Sequence, residues 1–78
     1  TIPRQEVGLD TLTDREFEIF QLIGEGHGTH EIAEALRISP KTVDVHRMNM
    51  RHKLKLEDGS AVMRFAIRWV ESRRLAPE

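Results

Sequence analysis

The 78-residue chain contains no cysteine, so it can form neither disulfides nor thiolate metal sites, and nothing indicates secretion. It also lacks a visible signal peptide and any apolar run near the ~20 residues that a membrane-spanning helix needs. The whole chain is 38% hydrophobic and 32% charged, which favours a compact soluble fold over a disordered tail. A chain this short has room for one hydrophobic core, and we therefore expect a single small domain.

The formal net charge is −1, but the charges are unevenly distributed. Residues 1–36 hold two basic and eight acidic residues, whereas residues 37–74 hold ten basic and four acidic residues. A chain that is nearly neutral overall can in this way present one basic face to phosphate groups. By itself the asymmetry is weak evidence, because an ordinary solvated surface can carry it by chance.

The two ends of the chain differ from its middle. Residues 1–11 show no hydrophobic periodicity and carry Pro3 and Gly8, which predicts a linker or arm. The predicted folded domain covers residues 12–75, and residues 76–78 form a tail. Because the sequence begins with Thr1 rather than methionine, we expect it to be a piece of a longer protein.

The first predicted helix carries a clear start signal. Thr13 with Glu16 three residues later is a capping box, and Leu12 with Phe17 can form the accompanying hydrophobic staple. Apolar residues at helical spacing follow, so the helix should run from Asp14 to about Gly24.

Three glycines in five positions, Gly24, Gly26 and Gly28, follow this helix. A nucleotide-binding loop of this kind would need a preceding strand and a following Gly-Lys-Ser/Thr, and the sequence has neither. The favoured interpretation is a turn that needs positive φ.

Two further helices are predicted on either side of a tight turn. The earlier one covers about residues 30–36, and Arg37 stands where a positive φ is often required. Ser39 and Pro40 then start the next helix as N-cap and first residue, and it should end near Lys55. Two helices joined in this way are typically used to hold a helix end against the major groove of DNA.

A fourth helix is predicted from about Ala61 to Arg73, capped by Asp58 or Ser60. Its apolar residues exceed a single stripe. Either the small core uses all of them, or part of the helix is left to meet a partner. The sequence alone leaves both alternatives open.

Short motifs spread over residues 12–70 resemble those of LuxR-type DNA-binding domains, which are four-helix modules of bacterial transcription regulators. The matching motifs are Leu-Thr-x-Arg-Glu at residues 12–16, Glu-Ile-Ala at 31–33, Leu-x-Ile-Ser at 36–39, Thr-Val-x-x-His at 42–46, Lys-Leu at 53–54 and Arg-Phe-Ala-Ile-Arg at 64–68. The chain departs from the family pattern at Gly28 and Thr29, which replace the usual serine and asparagine. It departs again at Asp44, where many members carry a basic residue.

The resemblance implies an all-α, four-helix helix-turn-helix bundle that binds double-stranded DNA. It further implies a cytoplasmic bacterial regulator that acts as a homodimer on DNA, has RNA polymerase as a candidate partner and has no membrane association. The Arg-Phe-Ala-Ile-Arg segment favours a two-component response regulator as the parent protein. We accordingly predict no enzyme activity, no catalytic residue, no metal and no cofactor.

The candidate site residues fall into three groups. Those expected to face bases in the major groove are Lys41, Asp44, Val45, Met48 and Arg51. Those expected to contact phosphate are Thr29, Thr42, Arg47 and Lys53, joined by Lys41 and the amide end of the second helix. Those expected at a dimer interface on the fourth helix are Val62, Phe65 and Trp69.

Individual members of these groups have other interpretations. Lys53 could pair with an acid inside the fold. Asp44 could accept a hydrogen bond from cytosine N4, but an acid near the start of a helix is also stabilised by the helix dipole.

Two rival functions compete with DNA binding. A metal enzyme would use the four histidines, but the chain has no His-Glu-x-x-His motif and no cysteine. The second rival is a protein-interaction or dimerisation module that kept the helix-turn-helix shape and lost DNA binding. Asp44 and the nearly neutral total charge give this rival some weight.

Overall fold

The computed structural model describes residues 8–75, which form four helices and no strand. The helices are α1 (Asp14–Gly24), α2 (Thr29–Leu36), α3 (Pro40–Lys53) and α4 (Gly59–Leu75). The predicted all-α four-helix class is therefore confirmed. Most of the predicted arm and the predicted tail, residues 1–7 and 76–78, lie outside the described residues.

Helix α1 begins and ends at the predicted residues. The Thr13 hydroxyl accepts the Glu16 N–H at 3.1 Å, and the Glu16 carboxylate accepts the Thr13 N–H at 3.0 Å. This reciprocal pair satisfies two N–H groups that have no partner within the helix, which is why the helix begins there.

Residues 8–11 differ from the linker that the sequence predicted. They form a 3₁₀ turn, and Leu9 is completely buried in the core. The Leu12 N–H donates to the Leu9 carbonyl at 3.2 Å and closes the turn. The folded part of the chain thus includes residues before Leu12, because the core needs the Leu9 side chain.

The turn between α2 and α3 follows the predicted backbone geometry. Arg37 has φ 61° and ψ 44°, in the left-handed region. The Ile38 N–H donates to the Ala33 carbonyl at 3.0 Å, and the Arg37 N–H to the Glu34 carbonyl at 3.3 Å. These two bonds form a Schellman motif, which ends α2 and redirects the chain into α3.

Side-chain caps mark the starts of α3 and α4. The Ser39 hydroxyl accepts the Thr42 N–H at 3.0 Å, and Pro40 is the first residue of α3, as predicted. Of the two predicted caps for α4, Asp58 serves, because its carboxylate accepts the Ala61 N–H at 2.9 Å. Between these helices Lys55 has φ 57°, so α3 ends in a second left-handed turn.

Helices α1 and α4 pack closely and form much of the core. At Gly24 an added Cβ would collide with the Ala66 carbonyl oxygen and a Val70 methyl group, so only glycine allows this crossing. The aromatic rings interlock nearby, with Phe20 and Phe65 at 5.3 Å between ring centroids in an edge-to-face arrangement.

The packing of α4 shows which of its apolar residues the core uses. Val62 and Trp69, two of the predicted dimer-interface residues, are 2% and 8% exposed and belong to the core, so they offer little surface to a partner. Phe65, the third candidate, is half-buried. Among the α4 side chains whose burial the structure describes, the exposed large apolar one is Met63, at 45%.

Candidate nucleic-acid interface

Helix α3 has one buried and one open side. Val43 and Met50 are completely buried, and they fix the helix to the domain. On the other side Val45 is 48% exposed and Met48 is 54% exposed. Lys41 and Asp44 are exposed as well, at the helical spacing that places them beside these two. We call Lys41, Asp44, Val45 and Met48 the outer face of α3.

Charge and apolar surface alternate on the outer face. Lys41 and Asp44 have no ion pair or side-chain hydrogen bond within residues 8–75. Two large apolar side chains lie exposed next to them, where water solvates them poorly. A surface with one ammonium, one carboxylate and two apolar groups matches the kinds of group that base edges offer in a major groove.

Three of the predicted phosphate residues occupy suitable positions. Thr29 is the first residue of α2, where backbone N–H groups and the helix dipole attract anions. Thr42 lies in the first turn of α3, and its hydroxyl is hydrogen-bonded to the Ser39 hydroxyl at 2.9 Å. Arg47 is half-buried on α3 and has no hydrogen bond or ion pair in the described part of the chain.

Lys53, the fourth predicted phosphate residue, is engaged inside the fold. Its ammonium lies 2.7 Å from the carboxylate of Glu16, whose side chain is only 4% exposed. The alternative of an internal acid partner is therefore the one that the structure supports. The pairing joins the C-terminal end of α3 to the first turn of α1.

Several opposing effects act on the Glu16 carboxyl group. Burial by itself raises its pKa, but the hydrogen bonds from Lys53 and the Thr13 N–H lower it, aided by the charges of Lys53 and His46. The net result is a pKa below the ordinary 4.5. Glu16 is thus held as a carboxylate, which keeps Lys53 in place.

Arg51, which was predicted to face bases, also has hydrogen-bond partners within the domain. Its guanidinium donates to the carbonyl oxygen of Glu57 at 2.8 Å and to that of Leu56 at 3.4 Å. Arg51 consequently closes the loop between α3 and α4, and these bonds hold its charged group away from the outer face. No sequence pattern indicates this role, because the acceptors are backbone atoms of a loop.

The histidines do not converge. Residues 8–75 contain no cluster of three or more His, Asp or Glu side chains that could hold a metal ion. His27 lies 3.4 Å from Glu31 and 3.9 Å from Glu25 at the start of α2. The Gly28 N–H and then His27 hydrogen-bond to Glu31 and lower the pKa of its carboxyl group. These contacts stabilise the start of α2 in the same way as a capping box.

None of the helices in the described range combines the length and apolar character that crossing a bilayer requires.

Comparison with known proteins places this geometry in a family. Residues 10–66 match the family model described as bacterial regulatory proteins, luxR family. No solved structure gives a significant match.

Curated relatives give the same picture. The chain is 46% identical over 57 residues to the uncharacterized response regulatory protein YgeK of Escherichia coli, covering 73% of this chain and 39% of YgeK. It is 41% identical over 64 residues to the transcriptional regulatory protein MctR of Rhizobium johnstonii, and this match covers 82% of the chain and 30% of MctR. It is 40% identical over 57 residues to the oxygen regulatory protein NreC of Staphylococcus carnosus, and this match covers 73% of the chain and 26% of NreC.

The matches span only 26% to 39% of the length of these relatives. The family match nevertheless covers most of the chain and both helices of the helix-turn-helix. The chain belongs to the luxR family of bacterial regulatory proteins and is a DNA-binding domain of that family.

Proposed function

We propose that this domain recognises a specific double-stranded DNA sequence by inserting α3 into the major groove, as the output domain of a bacterial transcriptional regulator. The observation that carries the proposal is the outer face of α3, which the fold leaves open while Val43 and Met50 anchor the opposite side. A helix fixed from one side can enter a groove without a change of fold.

Phosphate contacts would hold α3 in register. Thr29 with the N-terminus of α2, Thr42 and Arg47 are the groups proposed to make them. Lys53 and Arg51 are not included, because both have partners inside the domain. This reduces the cationic surface of α3 and predicts a modest dependence of affinity on salt.

Two copies of the domain are proposed to bind paired half-sites through α4. The candidate contact is the exposed Met63, supported by the half-buried Phe65. A self-complementary contact of this kind would place two α3 helices in successive major grooves, about one helical turn apart. Linking two weak sites in this way raises the overall affinity.

The parent protein is proposed to be a response regulator that acts in the bacterial cytoplasm. The similarity to YgeK, named a response regulatory protein, supports this role, and the similarity to MctR, named a transcriptional regulatory protein, supports transcription as the regulated process. The matched part of each relative is less than two-fifths of its length, which leaves room for a sensory or receiver domain.

The test is selection from random duplexes with the purified domain at two salt concentrations. Enrichment of one motif whose affinity falls with rising salt is the expected result. Recovery of no motif at either concentration would contradict DNA recognition and favour the protein-interaction module.

Two exposed methionines give matched variants for this test. Met48→Glu places a charge on the outer face, whereas Met63→Glu places the same charge on α4 at a similar exposure. On a duplex that contains a single half-site, Met48→Glu should lose binding and Met63→Glu should keep it. On a duplex with two half-sites Met63→Glu should lose the additional affinity that the second copy provides.

A further inference from the structure

Asp44 is the single acid among residues 40–56, in a segment that otherwise carries only basic or neutral side chains. It is exposed on the outer face of α3 and has no cationic partner within the described residues. An acid in this position repels the phosphates of any duplex that α3 approaches. The carboxylate therefore weakens general DNA binding unless the DNA offers it a specific partner.

A role for Asp44 in starting α3 does not account for its position. Ser39 already caps the helix, and Asp44 is the fifth residue of α3, beyond the first turn. The stabilisation of an acid by the helix dipole fades within that turn. No backbone N–H of the described residues donates to the Asp44 carboxylate. The carboxylate is consequently available to an outside donor.

Base edges in the major groove offer few donors to a carboxylate. The exocyclic amines are the N4 amine of cytosine and the N6 amine of adenine. Adenine places the N7 acceptor directly beside its amine, and this lone pair repels the second carboxylate oxygen. Cytosine places a C–H group there instead. A carboxylate that can only accept hydrogen bonds is thus better matched to cytosine.

We propose that Asp44 selects cytosine at one base pair of each half-site. The inference rests on the proposed entry of α3 into the major groove, and it adds the base that this chain reads. Hydrogen bonding to the cytosine amine offsets the repulsion from phosphate at the correct site. At other sites the repulsion remains, so Asp44 acts by penalising wrong sequences.

The test compares motifs selected by the native domain and by Asp44→Asn. Asparagine has nearly the same shape but both donates and accepts, and it pairs with adenine N6 and N7. The native domain should prefer cytosine at one position by about 5- to 100-fold. The variant should prefer adenine at that position and keep the other positions unchanged. Asp44→Ala should lose the preference without gaining adenine.

Asp58→Asn is the matched control. Asp58 is also exposed, but it caps α4, and asparagine caps a helix equally well. Its selected motif should equal the native one. Circular dichroism of each variant should match the native spectrum, since both side chains lie at the surface.

Three outcomes would overturn the inference, and they are distinguishable. Identical motifs for the native domain and Asp44→Asn would show that Asp44 reads no base. Higher affinity of Asp44→Asn for every duplex with an unchanged motif would show that the acid only repels phosphate. Failure of the native domain itself to select any motif would contradict the proposed function as well.

Discussion

The ion pair between Glu16 and Lys53 should contribute measurably to stability, because it joins α1 to the end of α3. Replacing Lys53 with methionine keeps an unbranched side chain, one heavy atom shorter, and removes its charge. The Glu16 carboxylate would then remain in a site that is 4% exposed, with the Thr13 N–H as its remaining hydrogen-bond donor. Breaking a fully buried pair costs about 3–5 kcal/mol.

The exposure of Lys53 reduces this figure. Its side chain is 36% exposed, so water screens part of the interaction. We therefore expect Lys53→Met to lower the free energy of unfolding by about 2 kcal/mol. For a domain of this size that corresponds to a fall in Tm of about 8–16 °C. Glu16→Gln should cost about 1 kcal/mol, since glutamine can still accept the Thr13 N–H while Lys53 turns to solvent.

A double-mutant cycle measured by urea denaturation tests this reasoning. The double variant should be about as stable as Glu16→Gln alone, because no charge is left buried. A second cycle on the surface pair Arg15–Glu18 is the matched control. The Arg15 guanidinium lies 3.3 Å from the Glu18 carboxylate, and the two side chains are 42% and 52% exposed. Its coupling energy should stay below about 0.5 kcal/mol. Equal coupling in the two cycles would refute the argument from burial.

The same pair predicts how stability depends on pH. The pKa of Glu16 is lowered in the folded state, so its contribution is present above the ordinary value of 4.5 and is lost as pH falls below it. The stability difference between the native domain and Glu16→Gln should therefore shrink in acid. A difference that stays constant between neutral pH and pH 3 would contradict the assigned cause.

Three further predictions concern other elements. Gly24→Ala should destabilise the domain by about 2 kcal/mol in chemical denaturation, since its Cβ would collide with the backbone of Ala66; unchanged stability would disprove close packing of α1 on α4. Ser39→Ala should cost about 1 kcal/mol in the same assay through loss of the α3 cap, and a cost near zero would contradict it. Arg47→Ala should weaken binding to all duplexes alike and reduce the slope of log affinity against log salt by about one, whereas an unchanged slope would remove Arg47 from the phosphate contacts.

Helix boundaries were the part of the fold most accessible from the sequence. Capping and stop signals depend on residues three or four positions apart, so they can be recognised without tertiary information. The capping box at Thr13, the cap at Ser39 and the left-handed Arg37 are all present as predicted. The outer face of α3 was predictable for the same reason, because helical spacing alone separates Val43 from Val45.

Long-range pairings were the part that sequence patterns did not determine. Leu9 stands in a segment too short to show periodicity, yet the core uses it. The fourth helix has more apolar residues than one stripe, and its packing on α1, where Trp69 lies against Phe17 and Phe20, shows that Trp69 faces inward. Lys53 and Arg51 resemble DNA-contacting residues in sequence, but their partners are 37 residues away or in a loop backbone.

Chemical-shift mapping of the isotopically labelled domain with a selected duplex tests the central claim most directly. The account predicts that the largest amide shifts fall on Lys41, Asp44, Val45 and Met48 and on the first turn of α2, with Met50 nearly unchanged. Amide chemical-shift changes concentrated around Met63 on α4, with no changes on the outer face of α3, would contradict the account.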